Sequence, residues 1–113
     1  MTRGPVDEVS VAVAADLVRG GALLLDVRED HEWAAGHAPG AVHLPMSRLA
    51  EGAGTLPSDQ KIVCVCHLGG RSAMVASALA GAGWETVNMT GGMEAWHAAG
   101  LPVVTDEGQP GTV

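Results

Sequence analysis

The stretch KIVCVCHLGGRSAMVASALAGAG, residues 61–83, decides the fold. Its first part, 61–66, is a short apolar run, and such a run is typical of a central parallel strand that is covered on both faces. After the glycines, the segment 71–83 repeats apolar residues at helical spacing and ends at Gly83, which predicts a helix. The sequence therefore predicts a strand, a tight loop and a helix in direct succession.

Strand and helix patterns alternate along the rest of the chain as well. In chain order, we predict a helix over 11–19 that Ser10 caps, a buried strand over 22–27, a short helix over 29–36, an extended segment over 41–45, a short helix over 47–52, and, after 61–83, a strand over 85–89, a turn at 90–92, a short helix over 93–100 and a last extended segment over 101–104. This alternation indicates one α/β domain over residues 1–104 with mainly parallel strands. Residues 105–113 are expected to form a mobile tail.

Composition and charge limit the classes of protein to consider. The chain has 113 residues, 47% of them hydrophobic, which is enough for one core. Six Lys and Arg against thirteen Asp and Glu give a net charge of −7, which opposes binding to nucleic acid and to anionic membranes. No apolar run reaches the roughly 18–20 residues of a membrane span, and residues 1–10 lack the apolar segment of a secretion signal. We therefore expect a cytoplasmic protein that has neither nucleic acid nor membrane as a partner.

The loop CHLGGRS, residues 66–72, has the features of an anion site built from backbone amides. Cys66 stands at the end of the predicted strand, and ligands bind at the carboxyl ends of strands in such sheets. Gly69 and Gly70 permit the unusual backbone angles that turn consecutive amides inward. The helix that follows aims its own N-terminal amides at the same point. Together these dipoles predict a thiolate or persulfide on Cys66, with a lowered pKa and nucleophilic character.

The residues around Cys66 allow further predictions. Arg71 stands where the helix dipole disfavours a cation, so we expect it to bind loop carbonyls or an oxyanion. Cys64 points to the same face of the strand as Cys66 and is predicted to be a core residue without a disulfide. For His67 two interpretations stay open, a positive charge in the pocket or a solvated loop residue. A zinc site at 64–67 is disfavoured, because the chain has too few cysteines and no spaced histidine pair.

Four motifs in this sequence resemble the rhodanese homology domain, in order, over roughly residues 8–104. They are LLDVRE (24–29), EWAAGHAPGAVHLP (32–45), the CxxGxRS loop (66–72) and GGMEAWHAAGLPV (91–103). The resemblance implies a rhodanese-like α/β fold, with a five-stranded, mostly parallel sheet flanked by helices on both faces. It also implies that Cys66, rather than Cys64, is the catalytic residue.

The resemblance further implies a sulfurtransferase that needs no cofactor or metal. A donor such as thiosulfate, a polysulfide or a persulfide would sulfurate Cys66, and cyanide or a thiol, which could belong to a partner protein, would then remove the sulfur. The loop that holds the persulfide would consist of His67, Leu68, Gly69, Gly70, Arg71 and Ser72. Asp26 and Arg28, from the DVR element, would support this region; considered alone, Arg28 and Glu32 have the spacing of an exposed helical ion pair.

Loop length and loop charge separate this chain from related families. Four residues stand between Cys66 and Arg71, whereas phosphatases and arsenate reductases of similar fold have five, so a single sulfur atom is favoured over phosphate. Family members that use thiosulfate well commonly carry basic residues after the cysteine, but here Leu68 to Gly70 are uncharged. Thiosulfate is therefore expected to be a poor donor. The alternative to catalysis is a noncatalytic or partner-dependent rhodanese-type binding module, and phosphatase or arsenate reductase activity is less favoured.

Overall fold

The computed structural model describes residues 6–113. Over this range strands and helices alternate along the chain, as the sequence predicts. The elements are β1 (Asp7–Val9), α1 (Val11–Arg19), β2 (Leu23–Asp26), α2 (Asp30–Ala35), β3 (Val42–His43), α3 (Leu49–Gly52), β4 (Ile62–Val65), α4 (Gly70–Gly81), β5 (Thr86–Met89) and α5 (Gly92–Ala98). None of these helices has the length and apolar character that crossing a membrane requires.

The five strands form one sheet in the order β1-β5-β4-β2-β3, and every neighbouring pair is parallel. The carboxyl ends of all strands therefore meet at the same edge of the sheet. β4 is the central strand, and Cys66 follows it directly. The predicted α/β class and the five-stranded rhodanese-like sheet are confirmed.

Both faces of the sheet are covered. Along β4, Val63 and Val65 pack in the cluster that includes side chains of α1 and α5, such as Ala14 and Trp96. Ile62, Cys64 and Cys66 pack in the opposite cluster, with Val75, Ala76 and Leu79 of α4. All four residues of β4 are completely buried, which explains why this strand is an unbroken apolar run rather than an alternating one. The helices thus lie on both sides of the sheet, and Cys64 and Cys66 share one face.

Two segments differ from the sequence prediction, and a third, which was predicted only as extended, stays outside the sheet. β1 was not predicted, because a three-residue edge strand with two exposed residues carries no apolar pattern. The single helix predicted over 47–52 is a 3₁₀ turn, Met46–Arg48, followed by the short α3. The extended segment 101–104 does not join the sheet; its Val104 makes isolated antiparallel bridges to His37 and Pro110.

Residues 105–113, predicted as a mobile tail, turn back against the domain. The amide of Gly111 donates to the carbonyl of Val103, and the amide of Thr112 donates to the carbonyl of Ala35, each at 2.9 Å. Gly36 is required here, because a Cβ at this position would lie 2.5 Å from the carbonyl oxygen of Thr112. The sequence prediction did not include these contacts, since the segment is polar and rich in glycine. They bring the segment to the end of α2, close to the carboxyl edge of the sheet.

Candidate active site

The sulfur of Cys66 receives hydrogen bonds from the loop that it opens. The amide of Gly69 donates to Sγ at 3.1 Å, and the hydroxyl of Ser72 lies 3.3 Å from the same atom. Gly69 has a φ of 114°, a left-handed conformation that only glycine adopts without strain, and this conformation turns its N–H back toward the sulfur. Gly70, by contrast, is the first residue of α4 and has no positive φ. Of the two predicted glycine turns, the structure thus contains the one at Gly69.

The two cysteines have different electrostatic surroundings. Burial by itself raises the pKa of Cys66, but the Ser72 hydroxyl and the amides of Ser72, Gly69 and Leu68 outweigh it, and the pKa lies below its ordinary value. For Cys64, burial and the nearby charge of Cys66 raise the pKa to about 12. Cys64 is completely buried, as predicted for a core residue. Of the two thiols, Cys66 is therefore the one whose surroundings favour the thiolate.

Cys66 is only 1% exposed and lies at the floor of the loop. The thiol is nevertheless not an ordinary core cysteine, because donors point at its sulfur from the loop and from the first turn of α4. Around it, Ser72 is completely buried and Leu68 is 62% exposed. The cysteine therefore has almost no direct exposure to solvent, although the loop that follows it is open to solvent at Leu68.

Arg71 binds Glu32. Its Nη1 donates to Oε1 at 2.7 Å and its Nη2 to Oε2 at 2.9 Å. This hydrogen-bonded pairing lowers the pKa of Glu32 to about 2 and raises that of Arg71, so both side chains are charged. Of the two roles predicted for Arg71, the binding of loop carbonyls is wrong, because a carboxylate of α2 holds its guanidinium. The binding of an oxyanion stays a prediction. The predicted Arg28 and Glu32 pair is also wrong, since Glu32 binds Arg71 and Arg28 is buried elsewhere.

Asp26 and Arg28 form a buried ion pair at the end of β2. Both residues are 0% exposed, and the guanidinium binds both carboxylate oxygens at 2.8–3.1 Å. Nη2 of Arg28 also donates to the carbonyl of Gly36 at 2.7 Å, and a ring nitrogen of His43 lies 2.7 Å from the carbonyl oxygen of Arg28. The pair thus connects β2 to the far end of α2, the helix that carries Glu32. Neither residue hydrogen-bonds to Cys66, and the charge of Arg28 also contributes to the lowered pKa of Glu32.

The N-terminus of α5 holds the outer side of the loop, which residue-level reasoning missed. The amide of Met93 donates to the carbonyl of Cys66 at 2.8 Å, and the amide of Glu94 donates to that of His67 at 3.1 Å. Gly92 allows this approach: it has a φ of 60°, and a Cβ there would lie 2.4 Å from both loop carbonyl oxygens. The glycine pair that opens the motif at 91–103 was the available signal. For His67 the structure shows a half-exposed ring whose Nε2 lies 3.5 Å from the carboxylate of Glu94.

Asn88 is a second residue that sequence reasoning missed. Its Nδ2 donates to the carbonyl of Gly69 at 3.1 Å and to the carboxylate of Glu8 at 2.9 Å. The side chain thereby holds the carbonyl of Gly69, the residue whose amide faces Cys66, and connects it to Glu8 of β1. The signal in the sequence was an amide side chain inside a short strand whose residues are all buried.

Comparison with known proteins agrees with this geometry. A family model described as the rhodanese-like domain matches residues 10–99. The chain belongs to this family.

Among its relatives, a sulfurtransferase of Allochromatium vinosum is 38% identical over 87 residues, which cover 76% of this chain and 81% of the relative. The thiosulfate sulfurtransferase GlpE of Actinobacillus succinogenes is 34% identical over 103 residues, with coverage of 89% and 93%. Among solved structures, a rhodanese-related protein of Thermoplasma volcanium superposes with a TM-score of 0.82 at 31% identity, over 87% of this chain and 97% of the other.

The rhodanese-like site has backbone amides on its inner side and carbonyls on its outer side. The carbonyls of Cys66, His67 and Gly69 all have donors in β5 or α5, so they do not face the sulfur. This arrangement stabilises negative charge at Cys66 with few cationic side chains. Within residues 6–113, no group of three or more His, Cys, Asp or Glu side chains is placed to hold a metal ion. A cavity of about 260 Å³ lies beside the loop and is lined by His31, Glu32, Ala35, His67 and Val113.

Proposed function

We propose that this protein is a sulfurtransferase that carries sulfane sulfur as a persulfide on Cys66. The observation that carries the proposal is the pair of donors on Sγ, the Gly69 amide and the Ser72 hydroxyl. They favour the thiolate over the thiol, and a thiolate is the form that attacks sulfur. Membership of the rhodanese-like family and the names of the relatives, sulfurtransferase and thiosulfate sulfurtransferase, support the same chemistry.

The reaction has two displacement steps that share one nucleophile. With thiosulfate, the Cys66 thiolate attacks the outer sulfur, a new S–S bond forms, and the bond to the sulfonate sulfur breaks so that sulfite leaves with the electron pair. Cyanide or a thiolate then attacks the outer sulfur of the persulfide. The S–S bond breaks, its electron pair returns to Cys66 as the thiolate, and the product is thiocyanate or a new persulfide. The enzyme undergoes no net redox change and needs no cofactor, and the kinetics are expected to be ping-pong.

The loop serves both states of the cysteine. In the free enzyme its amides stabilise the thiolate, and in the intermediate the same inward-facing donors are available to the anionic outer sulfur. The carbonyls of Cys66, His67 and Gly69 already accept hydrogen bonds from α5 and Asn88, so they do not repel that charge. The contacts of Arg71 do not favour the phosphatase or arsenate reductase alternative, because Glu32 occupies the guanidinium that would otherwise bind an oxyanion.

Intact mass spectrometry tests the proposal. Wild type, Cys66→Ser and Cys64→Ala are each incubated with thiosulfate or with inorganic polysulfide, freed of excess donor and weighed. We expect wild type and Cys64→Ala to gain one sulfur atom and to lose it when cyanide is added, with thiocyanate as the product. Cys66→Ser should gain none, and an equal gain in this variant would refute the proposal.

The partner-dependent alternative gives a different result in the same experiment. In that case wild type would gain no sulfur from either small donor but would gain it at Cys66 when cell extract and a sulfur source are added. A gain from small donors alone rules out a strict need for a partner protein.

A further inference from the structure

The strongest cation of the active-site loop is not available to a substrate. Arg71 makes two hydrogen bonds to Glu32, at 2.7 and 2.9 Å, which use the two terminal nitrogens of its guanidinium. A planar guanidinium binds a planar carboxylate with the same paired geometry that it would use for an oxyanion. A sulfur donor that approaches Cys66 therefore meets a neutral ion pair where the sequence suggests a free positive charge.

Glu32 is held in place by a second contact. Its Oε1 also accepts a hydrogen bond from the amide of Glu29 at 3.0 Å, as part of the capping box at the start of α2. The carboxylate is anchored from its own helix, and its pKa of about 2 keeps it ionised at neutral pH. The bond to Arg71 thus joins two fixed elements, α2 and the first turn of α4.

The histidine of the loop also lies beside an acid. The Nε2 of His67 lies 3.5 Å from the carboxylate of Glu94, a residue of α5 that is largely exposed. Glu32 and His67 both line the cavity of about 260 Å³ beside the loop, with His31, Ala35 and Val113. This cavity adjoins the residue that follows Cys66, so a donor that uses it approaches within reach of the Glu32 carboxylate.

We infer that Glu32 is a specificity-determining residue that makes the site discriminate against sulfur donors carrying two negative charges. The preferred donors are sulfane-sulfur compounds with at most one negative charge, such as organic thiosulfonates and persulfides. The inference rests on the proposed sulfurtransferase function and adds the charge class of the donor. Glu32 acts in two ways: it neutralises Arg71, and it places a carboxylate beside the path to the sulfur.

Two small donors of nearly the same shape isolate the effect of charge. Thiosulfate is a dianion, and methanethiosulfonate, in which a methyl group replaces one oxygen, is a monoanion. Both react in the same way: the Cys66 thiolate attacks the outer sulfur, and either sulfite or methanesulfinate leaves with the electron pair of the broken S–S bond. With cyanide as the common acceptor, kcat/KM for each donor reports only the first step of a ping-pong reaction.

The experiment compares the ratio of kcat/KM for thiosulfate to kcat/KM for methanethiosulfonate in wild type and Glu32→Gln. Glutamine keeps an oxygen for the capping bond to Glu29 but removes the charge that holds Arg71. We expect the ratio to rise about fivefold in Glu32→Gln, the size of effect typical of one partly exposed charge pair. Glu32→Asp, which keeps the charge, should retain a ratio close to that of wild type.

Glu85→Gln is the matched control for overall charge. Glu85 is exposed, lies 3.6 Å from Lys61, and precedes β5 at the end of the sheet opposite Cys66. An unchanged ratio in Glu32→Gln, or an equal rise in Glu85→Gln, would overturn the inference while leaving the sulfurtransferase function intact. If neither donor sulfurates Cys66 in wild type or in Glu32→Gln, as judged by intact mass, the proposed function fails and the inference fails with it.

Discussion

Replacing Ser72 by alanine tests directly whether the loop stabilises the thiolate of Cys66. The Ser72 hydroxyl lies 3.3 Å from Sγ in a completely buried position of α4. It is the largest of the contributions that lower the pKa of Cys66. The Ser72→Ala variant removes this donor and leaves the Gly69 amide, 3.1 Å from the sulfur, in place.

The size of the effect follows from the strength of a hydrogen bond to a charged group. Such a bond contributes about 1.5–3 kcal/mol, which corresponds to a decrease of about ten- to hundredfold in the acid dissociation constant of the Cys66 thiol. A more basic thiolate is also a better nucleophile, with a Brønsted coefficient of about 0.4–0.5, so nearly half of the logarithmic loss is recovered. At a pH below the pKa of the thiol, the net reaction rate should fall about three- to twelvefold.

The assay is the rate at which Cys66 forms a mixed disulfide with 2-hydroxyethyl disulfide, followed by intact mass over a series of pH values. The Ser77→Ala variant is the control, because Ser77 is an exposed residue of the same helix, and its rate should equal that of wild type. We expect the pH profile of Ser72→Ala to move to higher pH. A profile identical to that of wild type, or one at lower pH, would show that the loop does not stabilise the thiolate in the way that the geometry indicates.

Three further predictions concern the surroundings of the loop. Gly92→Ala should lower the free energy of unfolding in urea by about 3 kcal/mol or more, since its Cβ would meet two loop carbonyl oxygens at a positive φ; Gly81→Ala, with open space around it, should not. Cys64→Ala should leave the disulfide-exchange rate of Cys66 unchanged, because the Cys64 thiol, with a pKa of about 12, stays protonated. The Glu32 carboxyl, with its pKa lowered from 4.5 to about 2, should stabilise the fold above pH 4.5 and lose this effect as the pH falls toward 2. Relative to Glu32→Gln, wild type should gain about 1–2 kcal/mol at pH 7 after solvent screening, and this difference should vanish in acid denaturation curves near pH 2.

The parts of the fold that could be predicted from the sequence are those that depend on local pattern. β4 and α4 were predicted because their apolar residues match the periods of a buried strand and of a helix, and the glycines between them mark the turn. β1 could not be predicted in this way, because its three residues gain their structure from pairing with β5, some 80 residues later in the sequence. The segment 105–113 is similar: its contacts to Ala35 and Val103 depend on tertiary structure, and its polar sequence gives no local sign of them.

The site shows the same division between local and long-range interactions. The position of Cys66 and the turn at Gly69 could be predicted, because they depend on the six consecutive residues 66–71. The partner of Arg71 could not, because Glu32 is 39 residues away in sequence and its helix is brought close only by the order of the strands. The spacing of Arg28 and Glu32 predicted an exposed ion pair between these two residues. This pair does not form, because Arg28 is buried and binds Asp26.

The structure also offers a physical basis for the anionic sulfur that we propose in a protein with a net charge of −7. Stabilisation by charged side chains would need free cations in the loop 66–72. Arg71 of this loop is bound by Glu32, and His67 lies near Glu94, so neither is a free cation. The stabilisation comes instead from peptide dipoles and the Ser72 hydroxyl, and the direction of the dipoles depends on how the loop backbone is held. Asn88 holds the carbonyl of Gly69, and the first amides of α5 hold those of Cys66 and His67. Because these bonds hold the loop backbone on both sides of the Gly69 amide, changes at Asn88 or Gly92 should alter the reactivity of Cys66 without touching its sulfur.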